Sequence, residues 1–316
     1  MTLFATKPAC WAPGLAGDVD WKDWLEGRRA IERTDAQPPL SFTPPLFRRR
    51  LSQLSRMTVQ VVHDALELAG VSAGEGAGAD AAGRTGAAGA AEGAVAGTAV
   101  EEGGGTAEEP RAGTAGLKQS FVSFRGELSR QLSINKTLIT EQDVLPASFS
   151  LSVFNTPMAL ASMACHLTGG YSVLFPPADS FYDGLCTACA PLLCGEEDRL
   201  LFVYADENVP AEYAAFCPDN ADPLAFATVL SVRPLHEGGR QQTDNGSQQA
   251  GDDSLQTGGG SFSFELSDVV GKTPASFLRM LLGAAGAVGT AGRPGNVRER
   301  SLSSTGGDFS SGSVGQ

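Results

Sequence analysis

Apolar residues recur along this chain with two different spacings, and each spacing predicts a type of element. From about 46 to 69 they return every three or four positions, which predicts a helix with one apolar face. The run L-L-F-V-Y at 200–204 is continuously apolar and predicts a central strand buried on both faces. The segment S-F-S-F-E-L at 261–266 alternates with a period of two and predicts another strand.

The remaining apolar segments complete an alternation of strands and helices. Residues 1–25 predict a strand followed by a helical turn. A strand start preceded by a loop is predicted at 144–153, and a short helix or strand at 223–230. Further strands are predicted at 117–127 and 171–175, and further helices at 128–138, 156–167, 180–194 and 274–282. Strands that alternate with helices in this way predict an α/β layered fold.

Three segments show neither spacing. Residues 71–116 consist almost entirely of Ala, Gly, Glu and Thr, and residues 237–260 and 284–316 are similarly poor in apolar residues. Such segments bury too little apolar surface to offset the entropy lost on ordering, so we expect them to be disordered. The predicted organisation is one domain over 1–283, interrupted by insertions at 71–116 and 237–260 and followed by a disordered tail.

Charge and composition narrow the class of protein. The formal net charge of −13 argues against a nucleic-acid partner, which would require clustered cations. No apolar run is long enough to span a membrane, and Pro8 and Pro13 interrupt the N-terminal region where a signal peptide would need a continuous apolar core. The cysteines stand mostly among apolar or small residues, so we expect reduced thiols and a cytoplasmic protein. They are Cys10, Cys165, Cys186, Cys189, Cys194 and Cys217.

Four segments, in this order, carry a family resemblance: P-P-L-F-R-R-R-L-S-Q-L-S-R-M, S-F-V-S-F-R-G-E-L, S-F-S-L-S-V-F-N-T-P and A-D-S-F-Y-D-G-L. Together they resemble the beta-ketoacyl synthase N-terminal-like family, whose members are often chain-length-factor-like. The resemblance covers roughly 1–70 and 117–236. It implies a thiolase-like, layered α/β fold that corresponds to the N-terminal half of a ketosynthase. Proteins of this kind usually work as dimers. One departure is Phe154, which stands where members typically carry His.

The resemblance also implies where the site lies. Members of the family deliver a nucleophilic cysteine on a buried strand to the start of a helix. Here that junction holds Pro177, with no cysteine nearby. The site region implied by the resemblance comprises Asn155, Pro177, Asp179, Ser180 and Asp206.

Two acidic residues follow the apolar run at 200–204. Asp206 and Glu207 stand where the strand ends, an edge at which α/β sheets form their sites. We expect them to be solvated loop acids, with a role in the family's site as the alternative. Four arginines crowd the first half of the helix predicted at 46–69, and cations near a helix N-terminus oppose the helix dipole. They are Arg48, Arg49, Arg50 and Arg56. Their expected partner is a local carboxylate or the acidic face of a carrier protein.

Ketosynthase condensation requires a thiolate and two imidazoles that stabilise the enolate and the oxyanion. His63, His166 and His236 are the three histidines, and none stands in a motif of the kind that supplies those imidazoles. Such motifs belong to the C-terminal half of a synthase, which we do not expect after residue 283. The spacing of Cys186 and Cys189 relative to the other cysteines is not that of a zinc site. We therefore predict no metal and no cofactor.

The sequence thus predicts a non-catalytic, chain-length-factor-like subunit. It would pair with an active ketosynthase, as a heterodimer or homodimer, in fatty-acid, aryl-polyene or polyketide-like biosynthesis, with acyl carrier protein as a possible second partner. The alternative is a divergent 3-oxoacyl-carrier-protein synthase or acyltransferase with an unidentified nucleophile. A third class is an interaction protein without acyl chemistry.

Overall fold

A computed structural model describes residues 1–71, 116–177, 180–216, 221–235 and 261–290. The segments that the sequence predicts to be disordered lie outside these residues, except for 71, 116 and 284–290.

The described residues form a mixed α/β structure, as the alternation predicts. The strands are β1 (Thr2–Ala5), β2 (Ala9–Trp11), β3 (Lys118–Val122), β4 (Tyr171–Leu174), β5 (Arg199–Asp206), β6 (Leu224–Ser231) and β7 (Phe262–Glu265). The helices are α1 (Asp18–Leu25), α2 (Pro45–Arg48), α3 (Gln53–Leu68), α4 (Leu128–Glu141), α5 (Pro146–Ser150), α6 (Thr156–Ala164), α7 (Phe181–Ala188), α8 (Ala190–Leu193) and α9 (Pro274–Thr290). Two short 3-10 helices span Ala211–Phe216 and Leu266–Val269.

These strands form one sheet in the order β4-β3-β5-β6-β1-β7, with β2 also pairing with β6. Strand β3 lies parallel to both β4 and β5, whereas the pairs that involve β6 or β1 are antiparallel. The carboxyl ends of β3, β4 and β5 therefore meet at the same edge of the sheet. Strand β4 is the last strand on its side of the sheet in the described part of the chain.

The sheet separates two apolar cores. Phe202 and Tyr204 of β5 belong to one core, which α7 and α9 cover, and Leu201 and Val203 belong to the other, which α3 and α6 cover. Successive strand residues point to opposite faces, so a strand covered on both sides must be apolar throughout. This explains the continuous apolar run at 200–204 and confirms the predicted layered fold.

The helix predicted over 46–69 is in fact two helices. Helix α2 ends at Arg48, and α3 begins at Gln53. Ser52 provides the physical reason, because its hydroxyl accepts a hydrogen bond from the Ser55 backbone N–H at 3.0 Å and caps the start of α3. The apolar periodicity continues across the break and therefore does not reveal it.

Other element predictions also need correction. Residues 144–153 form α5 and its flanks rather than a strand start. The helix predicted over 180–194 is divided between α7 and α8, because Pro191 lacks the N–H that would continue the first helix. Helix α9 continues to Thr290, beyond the predicted end at 282. Strand β4 is partly exposed rather than buried, since one of its edges has no neighbour among the described strands.

Among the described residues, no helix has both the length and the apolar content needed to cross a membrane.

Candidate functional site

The candidate site lies where β3, β4 and β5 end together. At this edge the loop 123–127 follows β3, the loop 175–180 follows β4, and Glu207 follows β5. The carboxyl edge of parallel strands is the usual place for sites in α/β proteins, because the loops that leave neighbouring strands converge there. The predicted site residues that the structure describes stand in one of these loops, at the end of β5, or at the start of α6.

Asp206 is a fully buried carboxylate, not the solvated loop acid that the sequence favours. One of its oxygens accepts hydrogen bonds from the Ser123 hydroxyl at 2.7 Å and from the backbone N–H groups of Phe124 and Arg125, both at 3.1 Å. The other accepts from the Tyr204 hydroxyl at 2.6 Å and lies 3.4 Å from the Arg125 guanidinium. This carboxylate therefore fixes the loop after β3. Burial raises the pKa of Tyr204 well above its usual value, so the phenol remains a donor.

Gly126 brings the loop after β3 against the aromatic residues of the neighbouring loops. Its φ of +62° favours glycine, and a Cβ there would lie 2.9 Å from the ring of Phe154 and 3.1 Å from the ring of Phe175. The two rings pack with their centroids 4.2 Å apart. Phe154, the departure from the family pattern, therefore completes an aromatic pair at the end of β4.

The junction between β4 and α7 contains the predicted nucleophile position. Pro177 is exposed, and its carbonyl accepts a hydrogen bond from the Ser180 N–H at 2.9 Å. The Ser180 hydroxyl donates to the Asp183 carboxylate at the start of α7. Pro176 packs so closely on Gly184 that a Cβ on this glycine would lie 2.8 Å from the proline ring. The junction is thus a short, proline-filled turn against the first turns of α7.

The other predicted site residues have different outcomes. Asn155 is exposed at the start of α6, and its amide donates to the Tyr171 hydroxyl of β4 at 3.4 Å. Asp179 lies outside the described residues. The loop that Asp206 holds contacts Phe154, which precedes Asn155. The structure therefore connects Asn155 and Asp206 through this loop, and their roles in a site remain predictions.

The cysteines of the described chain are mostly poor nucleophiles. Burial raises the pKa of Cys165 to about 12, and the pKa of Cys10 and Cys189 to about 12 as well. The thiolate is the reactive form, so these thiols are inert near neutral pH. In the described part of the chain, no group of three metal-ligating side chains includes a cysteine. Cys217 lies outside that part, as does His236.

Glu207 is also buried rather than the solvated loop acid that the sequence favours, and with Glu127, which the sequence did not single out, it forms a second acidic cluster beside Asp206. Glu207 accepts hydrogen bonds from the N–H groups of Ser129 at 2.7 Å and Leu54 at 3.4 Å, and it therefore caps the starts of α4 and α3 together. Glu127 is fully buried next to it and accepts from the Ser52 and Ser55 hydroxyls at 2.8 and 2.6 Å. The sequence signal for this cluster was two acidic residues, Glu127 in R-G-E-L and Glu207 directly after the apolar strand.

Burial, together with the charge of Glu127, raises the pKa of Glu207 to about 7 from an ordinary 4.5, against the lowering effect of the Ser129 and Leu54 N–H groups. Between pH 4.5 and pH 7, Glu207 therefore keeps its proton in the folded state and has lost it in the unfolded chain. Over this window, rising pH lowers the free energy of unfolding, by about 3 kcal/mol in all.

We expect Glu207→Gln to remove this pH dependence, because the amide keeps an acceptor for Ser129 and carries no charge. We compare the free energy of unfolding of the variant with that of the original chain. The difference, variant minus original, should increase by about 2 to 3 kcal/mol between pH 5 and pH 8. Urea unfolding at the two pH values measures this gain. Glu212→Gln is the matched control, because Glu212 is exposed and a hydrogen bond from Lys136 lowers its pKa. Parallel pH curves for the original chain and Glu207→Gln would contradict the assignment.

Comparison with known proteins shows the family to which the chain belongs. The sequence profile of the family described as "Beta-ketoacyl synthase, N-terminal domain" matches residues 21–73 and 107–266. The chain belongs to this family. No curated protein sequence gives a significant match.

Three solved structures show what the chain is similar to. The ketosynthase ApeO in complex with its chain length factor ApeC, from Xenorhabdus doucetiae, matches with a TM-score of 0.52 and 21% identity, over 73% of this chain and 79% of that one. The ishigamide ketosynthase/chain length factor matches with a TM-score of 0.49 and 13% identity, over 73% and 62%. The ketosynthase from module 6 of the bacillaene synthase of Bacillus subtilis 168 matches with a TM-score of 0.47 and 14% identity, over 73% and 37%. The match to the ApeO and ApeC complex confirms the predicted thiolase-like α/β fold.

Proposed function

We propose that this chain is a non-catalytic, chain-length-factor-like subunit that pairs with an active ketosynthase. It would act in the assembly of acyl chains of fatty-acid, aryl-polyene or polyketide type. The observation that carries the proposal is Pro177, which stands in the turn between β4 and α7. In the family, the nucleophilic cysteine occupies a junction of this kind.

Proline removes both functions that the junction would supply. It has no nucleophilic side chain, and its nitrogen carries no hydrogen that could stabilise an oxyanion. Cys165 and Cys189, each twelve residues from Pro177, are buried and have raised pKa values, so each thiol is neutral near pH 7. Cys186 is closer in sequence and only partly buried. A divergent synthase with another nucleophile remains the competing hypothesis, and it requires an acyl adduct elsewhere.

The proposed pairing face is the outer side of β4 with the residues beside it. An edge strand presents unpaired N–H and C=O groups that a second chain can use. Large apolar side chains are exposed on β4, on α6 and in the segment from α5 to α6. They are Phe149, Val153, Phe154, Met163 and Tyr171. A solved complex of similar fold contains a ketosynthase and its chain length factor, which supports a partner of that kind.

An arginine-rich turn supports acyl carrier protein as a second partner. Arg48 and Arg56 donate to backbone carbonyls of Pro39 and Arg48 at 3.1 and 2.7 Å, rather than to the local carboxylate that the sequence favours. These bonds hold the turn in which Arg49 and Arg50 are exposed. A basic turn on a chain with a net charge of −13 is suited to an acidic partner.

Co-expression with a ketosynthase and an acyl carrier protein tests the function. We expect the chain to co-purify with the ketosynthase, and its intact mass to remain unmodified after incubation with acyl carrier protein or acyl-CoA. The ketosynthase should acquire the acyl group in the same sample, which serves as the internal control. An acyl adduct on Cys165, Cys186 or Cys189 of this chain would overturn the non-catalytic function and favour the enzyme alternative.

A further inference from the structure

We propose that His63 and Glu67 of α3 bind a divalent transition-metal ion, with Asp64 as the residue that orients the histidine. This site is independent of the proposed pairing with a ketosynthase and of the edge formed by β3, β4 and β5.

The two proposed ligands are one helical turn apart. Residues four positions apart lie on the same face of a helix, so a metal ion can bind both side chains without distorting the backbone. His63 Nε2 lies 3.7 Å from Glu67 Oε1. This separation is compatible with a metal ion between the two atoms, since Zn–N and Zn–O bonds are each about 2.0–2.2 Å long.

Asp64 contacts the Nδ1 atom of the His63 ring and leaves Nε2 available to a metal ion. Asp64 Oδ1 lies 3.1 Å from His63 Nδ1, and this contact favours the tautomer whose Nε2 lone pair is free. Asp64 is itself held by the Gln60 amide, at 2.9 and 3.0 Å from its two oxygens. A carboxylate that binds the second nitrogen of a ligating histidine is typical of metal sites, where it fixes the ring and increases its basicity.

The ring is also oriented by packing. Phe42 stacks on His63 with ring centroids 3.7 Å apart and an angle of 16° between the planes. Side chains of both residues line a cavity of about 570 Å³, together with Leu66, Val71 and Cys165. This cavity leaves space for the water molecules that would complete the coordination shell of the ion. His63, Asp64 and Glu67 are the only group of three potential ligands whose atoms cluster within the described residues.

The donor set decides which ions fit. Imidazole with one carboxylate suits Zn²⁺, Ni²⁺ and Cu²⁺ better than Mg²⁺ or Ca²⁺, which prefer oxygen ligands. Cys165 is buried, and its pKa of about 12 keeps the thiol protonated, so it is not assigned as a ligand. Its substitution therefore separates the proposed site from metal binding by this neighbouring thiol.

Titration of the full chain with Zn²⁺ and Ni²⁺ tests the proposal, by calorimetry and by the ¹⁵N resonances of the three imidazoles. We expect the His63 Nε2 resonance to shift or broaden, and the melting temperature to rise because the ion binds the folded state. His63→Ala and Glu67→Gln should each weaken binding at least tenfold, and Asp64→Asn about tenfold. Mg²⁺ should have no effect at the same concentration.

His166→Asn is the matched control, because His166 is exposed outside the cluster, and asparagine tolerates its φ of +54°. This variant and Cys165→Ser should bind as the original chain does. Unchanged affinity in both His63→Ala and Glu67→Gln would overturn the proposal, as would loss of binding in Cys165→Ser alone. Circular dichroism of each variant confirms that the fold is retained.

Discussion

Replacing Asp206 by alanine should destabilise the protein by about 3–5 kcal/mol, because the change leaves a buried charge and several buried donors without a partner. The Ser123 and Tyr204 hydroxyls and the N–H groups of Phe124 and Arg125 all lose their acceptor. The Arg125 guanidinium, only 11% exposed, loses its counter-charge. Urea unfolding at pH 7 measures the loss. A decrease below 1 kcal/mol would show that Asp206 does not hold the loop after β3.

Two further variants keep this test decisive. Asp206→Asn retains an acceptor for the Ser123 hydroxyl while removing the charge, so we expect an intermediate loss and a folded protein. Asp222→Ala is the matched control, because Asp222 forms a partly exposed ion pair with Arg33. Surface pairs of this kind contribute about 0–1 kcal/mol. If Asp206→Ala does not fold, the loss in free energy of unfolding of Asp206→Asn is compared with that of Asp222→Ala. A larger loss in Asp206→Asn supports the prediction.

Replacing Met163 by glutamate should abolish co-purification with the ketosynthase while leaving the free chain folded. The side chain is 66% exposed on α6, beside β4, so the change costs the isolated chain little. In the proposed complex, the carboxylate would be buried against an apolar surface without a partner, which costs several kcal/mol. Each 1.4 kcal/mol lowers affinity tenfold, so the complex should be lost at micromolar concentrations.

Val19→Glu controls for the general effect of an added charge. Val19 is 74% exposed on α1, which belongs to a different part of the chain from the proposed pairing face. We expect this variant to co-purify normally in the same pull-down and to elute with the complex in size-exclusion chromatography. Equal recovery of Met163→Glu and Val19→Glu would place the interface elsewhere, even if the chain still binds a ketosynthase.

Local chemistry was enough to predict the elements with the strongest patterns. The continuous apolar run of β5 required burial on both faces, and the structure places this strand inside the sheet. The alternation in β7 gives buried Phe262 and Phe264 with exposed Ser263 between them, as a period of two requires. The absence of a cysteine between Phe175 and Ser180 is likewise a fact of the sequence alone. It carries most of the functional proposal.

Tertiary structure decided the rest, because burial and pairing depend on segments that are distant in the chain. Asp206 follows an apolar strand, a position equally compatible with a solvated loop acid. It is buried because β3 and β5 end side by side, which brings the N–H groups after Val122 onto its carboxylate. Glu207 is desolvated for the same reason, since the starts of α3 and α4 converge on it. Apolar spacing records only which face of an element is covered, and it carries no information about which polar groups the neighbouring elements supply.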